Sequence, residues 1–60
     1  SEETEVTIQK IVDECEHERA GPDRVLTEWR AKLEKEPTLL QPFQIDTIVR
    51  AVRDRLNDIR

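Results

Sequence analysis

Glycine and proline divide this chain into three. Gly21-Pro22 interrupts it once, and Pro37 with Pro42 interrupt it again. Between these breaks the apolar residues recur at helical spacing, so the breaks read as helix boundaries and not as turns between strands. The spacing predicts three amphipathic helices over roughly 7–20, 23–36 and 42–59. Three short helices with one apolar face each can only hide those faces against one another, so the expected fold is all-α, a small three-helix bundle.

In the first stretch Ile8, Ile11, Val12 and Cys15 fall at i, i+3, i+4 and i+7. Thr7 is the expected N-cap, with Val6 before it and Ile11 at the spacing of a hydrophobic staple. Residues 1–6 are then expected to be a flexible acidic N-terminus, and 7–60 a single helical interaction domain. The alternation Thr4, Val6, Ile8 also permits a short strand.

The second stretch opens at Pro22-Asp23, where proline suits the first helical position and an acid suits the positive end of the helix dipole. Val25, Leu26, Trp29 and Leu33 form its stripe, and Glu28–Lys32 is an i, i+4 pair in the favourable order. Pro37 is expected to close this helix. Thr38 and Gln41 match a capping-box spacing in the connection that follows.

The third stripe is the longest: Ile45, Ile48, Val49, Val52, Leu56 and Ile59. Its heptad-like seam carries Arg55 at one of the inward positions, which argues for a short bundle over an extended coiled coil. Asp46–Arg50 and Arg50–Asp54 are expected to pair along its outer face.

Sixty residues allow one domain. A chain this short buries only about 60% of its unfolded surface and has a marginal core. The lone Cys15 rules out an internal disulfide, so homodimerisation or a partner chain is the expected way to complete the core. A single cysteine, no apolar run long enough to span a bilayer and no visible leader pattern give a cytoplasmic expectation with no membrane partner. A start at Ser1 fits either a domain excised from a longer chain or loss of an initiator.

Charge is unevenly spread. Residues 1–19 hold seven acids and two bases, whereas 42–60 hold three acids and four bases, within a net charge of −4. The acidic first third disfavours nucleic acid and anionic membranes.

Little is left over for chemistry. Glu14 and His17 have the Glu-x-x-His spacing of di-iron bundles, but the face they share points away from the apolar stripe. His17 has the acidic neighbours Asp13, Glu14 and Glu18 and is expected to be a surface charge. Cys15, in line with the stripe, is expected to pack as a small hydrophobe. There is no glycine-rich loop, and no nucleophile has a base at a telling spacing. No enzyme, cofactor or metal site is expected.

The remaining candidates concern partners. Trp29 is expected in the core, with an interface anchor as the other use of a tryptophan. Phe43 points nearly opposite to the stripe of the third helix. It either folds back onto Leu39 and Leu40 or forms an exposed apolar patch with them beside Arg50. Arg50, Arg53 and Arg60 share a side of the same helix. The expected function is a non-catalytic docking or oligomerisation module that binds a protein partner or a second copy of itself. Its partner-binding residues are Leu39, Leu40, Phe43, Ile48, Arg50, Val52 and Arg53, with the third stripe as the main seam. The alternative is a small dimeric DNA-binding regulator of ribbon-helix-helix type. Docking segments of multienzymes and antitoxin-like proteins are comparable in size and charge, but no motif ties the chain to either.

Overall fold

The computed structural model describes residues 2–19, 21–35 and 40–59. It holds three helices: α1 (Glu2–His17), α2 (Pro22–Leu33) and α3 (Pro42–Ile59). Among the described residues there is no strand. The expected three-helix bundle is the fold, and the third helix has the bounds its stripe predicted.

The first helix starts five residues earlier than expected. Glu2, Glu3 and Glu5 occupy its first turn, where their charge complements the positive end of the helix dipole. Thr7 is therefore inside the helix and not its cap. Its hydroxyl donates back to the Glu3 carbonyl at 3.0 Å, the usual use of a mid-helix threonine. The alternation Thr4, Val6, Ile8 is helical too, so no strand forms there. The helix also ends earlier, at His17 and not near Ala20, which lies outside the described residues.

Gly21 is the N-cap residue of α2, with φ 93° and ψ 165°, and Pro22 follows at the first helical position. The helix ends at Leu33, three residues short of the expected 36. The Glu34 amide still donates to the Arg30 carbonyl at 3.0 Å. Pro37 and the Thr38 end of the expected capping box lie outside the described residues. Half of a capping box forms three residues later, between Gln41 and Gln44. Gln41 caps α3, Pro42 takes the first helical position, and the Gln44 side chain accepts a hydrogen bond from the Gln41 amide at 2.8 Å.

The chain runs up, down and up. Asp23 at the start of α2 meets Arg53 late in α3, and Arg30 near the end of α2 meets Asp46 near the start of α3 (2.9 and 2.8 Å), so these two helices are antiparallel. Glu14 late in α1 meets Trp29 in α2. The two outer helices, α1 and α3, are parallel: Thr4 lies beside Thr47 and Ile48 at one end, and Cys15 beside Leu56 and Ile59 at the other.

All three stripes, except Ile59 at the end of α3, converge on one shared core. Ile11, Val12, Ile45 and Val52 are essentially inaccessible, with Ile8, Cys15, Val25, Leu26, Leu33 and Ile48 around them. No polar residue is buried among the described residues.

Arg55, the charge on the seam of α3, acts as the pin between α1 and α3. Its guanidinium grips the Glu5 carboxylate with both terminal nitrogens and reaches Gln9 Oε1 at 3.5 Å. The hydrogen bond from Arg55 holds the Glu5 carboxyl below the ordinary glutamate value. A carboxyl depressed in the folded state contributes stability above its unfolded pKa and loses it as pH falls through the folded one. Thermal unfolding of the wild type is therefore expected to lose stability on acidification more steeply than that of Arg55→Gln. Parallel curves for the two proteins would contradict the pin.

Candidate functional site

The seven residues expected to bind a partner do not form one surface. Ile48 and Val52 are 3% and 0% exposed and belong to the core. Val52 is fully covered in the folded bundle, and Ile48 keeps only a 3% edge, at a groove beside Leu40 and Phe43. Apolar residues of α1 and α2 cover this part of the third stripe. Leu39 lies outside the described residues, as does Arg60.

Arg53 is turned toward α2, where it pairs with Asp23. Asp46 is likewise drawn across to Arg30 and not along its own helix to Arg50. The expected Asp46–Arg50–Asp54 ladder does not form. Arg50 is exposed and has no ion pair among the described residues. The same competition operates in α2, where Glu28 pairs with Arg24 at 3.6 Å and Lys32 instead lies over the Trp29 ring, 4.7 Å from its centroid.

Leu40 and Phe43 remain together. Phe43 is 68% exposed, whereas Leu40 is half-buried and packs against the core; the expected contact with Leu39 lies outside the described residues. With Thr4, Gln44, Thr47 and Ile48 they line a shallow groove of about 240 Å³ at the end of the bundle where α1 and α3 both begin. Thr4, Gln44 and Thr47 contribute polar side chains to the lining, and Leu40, Phe43 and Ile48 apolar ones. Pro42 fixes this arrangement by starting α3 one residue before Phe43, which turns the ring about 160° from the buried face. The sequence pointed to Phe43 by that angle. It gave no weight to Thr4, although Thr4 sits one turn before Ile8 and continues the inward face of α1.

The polar residues with chemical potential are engaged in structure. Glu14 accepts the Trp29 indole N–H at 2.8 Å, which ties α1 to α2 and leaves Trp29 half-buried against the core. His17 Nδ1 lies 2.7 Å from the Asp13 carbonyl. A carbonyl can only accept, so Nδ1 is the donor of this hydrogen bond. Among the described residues no three His, Cys, Asp or Glu side chains converge as a metal would require.

Burial raises the Cys15 thiol above its ordinary pKa. The Glu14 charge adds to this and Arg53 offsets part of it. Cys15 thus stays a thiol at neutral pH and fills space between α1 and α3. The strand that a ribbon-helix-helix regulator needs at Thr4–Ile8 is part of α1 instead. Among the described residues no helix is long and apolar enough to cross a membrane. No family model matches the chain, and no curated protein or solved structure matches it significantly.

Proposed function

We propose that this chain is a non-catalytic helical protein–protein interaction module that docks a protein partner, or a second copy of itself, through the groove at Leu40 and Phe43. One observation carries the reading. The three stripes satisfy each other, yet the only phenylalanine of the chain is left 68% exposed beside an apolar groove. A folded monomer gains nothing from an aromatic ring in water, whereas aromatic side chains next to a pocket are the usual anchors of protein interfaces. The groove is open and shallow, and the ionisable groups near it are paired or solvated, which suits recognition better than catalysis.

Phe43→Ser tests this. The substitution removes no buried contact, so unfolding free energy is expected to change by less than about 0.5 kcal/mol, as for ordinary surface positions. Association is expected to fall sharply. Sedimentation equilibrium over a wide concentration range reads self-association, and titration with a helical peptide reads docking. If both are the same for wild type and Phe43→Ser, the groove is not the docking surface.

A further inference from the structure

The outer face of α3, opposite the core, carries three groups with no ion pair or side-chain partner among the described residues. At about 100° per residue, Arg50 and Asp54 lie within about 20° of Phe43, one to either side. Phe43 is 68% exposed, and Arg50 and Asp54 are exposed and unpaired. Arg50 has an acid one turn before it and another one turn after, and pairs with neither. Asp46 is taken by Arg30 of α2 at 2.8 Å. Asp54 follows Arg50 at i, i+4 in the weaker order, base before acid. A ring, a cation and an anion thus stand in one line along the helix.

That line limits what can cover it. A uniformly basic partner meets Arg50, and a uniformly acidic one meets Asp54. The same line read backwards fits. Two α3 helices can lie antiparallel about a two-fold axis that crosses between Asp46 and Thr47. Phe43 of each copy then stands opposite Arg50 of the other, because both lie about 5 Å along the helix from the axis. Each guanidinium covers a Phe43 ring face, and its methylenes cover apolar surface. Asp54 comes level with the chain just ahead of Pro42 of the other copy, at the positive end of that helix dipole.

Nothing at the axis opposes this approach. Asp46 is already neutralised by Arg30. Thr47 is short, and its hydroxyl is spent on the Phe43 carbonyl at 2.9 Å.

We infer that the occupant of this face is a second copy of the chain, paired antiparallel along α3 as an isologous dimer. The inference rests on the docking reading above and names the partner. One ring and one guanidinium from each copy make a small contact, so association is weak and sets in at about millimolar chain concentration.

Sedimentation equilibrium of the whole 60-residue chain, carried to about 2 mM, tests it. Arg50→Glu is expected to weaken the dimer about tenfold or more, because a carboxylate then faces the negative face of the ring. Lys10→Glu makes the same change in net charge on an exposed position of α1. It is expected to alter association by less than about twofold, since charges off the contact are screened. Circular dichroism checks that each variant is folded.

Register is read from a mixture of isotope-labelled and unlabelled chains. A filtered nuclear Overhauser spectrum is expected to connect the Phe43 ring of one copy to the Arg50 side chain of the other. Within one chain the two positions are about 10 Å apart along the helix, so the signal requires two copies.

A chain that stays monomeric to about 2 mM overturns the self-pairing. So does a dimer that Arg50→Glu and Lys10→Glu weaken alike, or one without the Phe43–Arg50 signal. If an amphipathic Leu/Lys peptide shifts the amides of Gln44 and Thr47 while the chain stays monomeric, the docking reading stands and only the second copy falls. If neither copy nor peptide is bound and Phe43→Ser changes no association, both fall.

Discussion

Ile11→Ala is expected to lower the unfolding free energy by about 2–5 kcal/mol, the range for truncating a fully buried isoleucine. Ile11 is 0% exposed and sits in the middle of the shared core. At roughly 0.05–0.15 kcal/mol per residue, a chain of this length has a total stability of only about 3–9 kcal/mol. The variant therefore loses a large part of its stability and unfolds partly at room temperature. Urea unfolding followed by far-ultraviolet circular dichroism and by Trp29 fluorescence measures this. The two transitions should coincide, because one core serves all three helices. Val52→Asp is expected to go further and abolish folding, since a carboxylate at a 0% exposed position with no polar residue buried near it has no partner. A loss below about 1 kcal/mol for Ile11→Ala, against the range for buried truncations, would mean that the stripes do not converge as described.

The contrast with Phe43→Ser shows which part of the surface was readable from the sequence. Helical angle alone separates Phe43 from Ile45 and Ile48, because the angle depends only on where α3 begins, and Pro42 states that plainly. The same angle places Ile48 and Val52 inward, and the structure agrees. What the sequence left open is whether an inward stripe meets its own chain or another. That depends on whether α1 and α2 supply enough apolar surface, which is a property of packing and not of any one stripe.

α1 begins upstream of Thr7 for a local reason. Thr7 satisfies the pattern of a cap, but Glu2, Glu3 and Glu5 make an equally good first turn further upstream, and Thr4 continues the inward face. Asp46 leaves its own helix for a tertiary reason, because Arg30 of α2 reaches it, whereas Glu28 and Lys32 take other partners within α2. Spacing rules for i, i+4 pairs describe a helix by itself, where each pair contributes only about 0.2–0.5 kcal/mol. Once a neighbouring helix offers Arg30 to Asp46, or Glu5 to Arg55, so small a preference does not hold the side chain. The Glu14–Trp29 hydrogen bond joins residues fifteen apart in sequence, and no spacing rule marks it. Arg55 is the instructive case. A charge on an apolar seam reads as a defect, and in the bundle it bridges α3 to Glu5 and Gln9 of α1.

Gly21→Ala is expected to cost about 1–3 kcal/mol, and the cause can be isolated. At φ 93° and ψ 165° the residue lies in a region that is almost exclusive to glycine and costs an L-residue of that order. A Cβ placed on Gly21 would meet no heavy atom within 4 Å, so crowding contributes nothing and the whole cost is backbone strain. Helix capping contributes little either, because Gly21 offers no side-chain cap to lose. The mirror-image residue separates these causes. D-Alanine prefers the positive φ that Gly21 already has, and it restricts the unfolded chain more than glycine does. Gly21→D-Ala, made by chemical synthesis, is therefore expected to raise stability by about 0.4–1 kcal/mol, the usual effect of replacing glycine where the conformation is compatible. Thermal unfolding of the three proteins should rank D-alanine above glycine and glycine above L-alanine. If both alanines lower stability equally, the turn between α1 and α2 does not hold Gly21 at positive φ, and the entry of Pro22 into α2 is set by something other than this backbone angle.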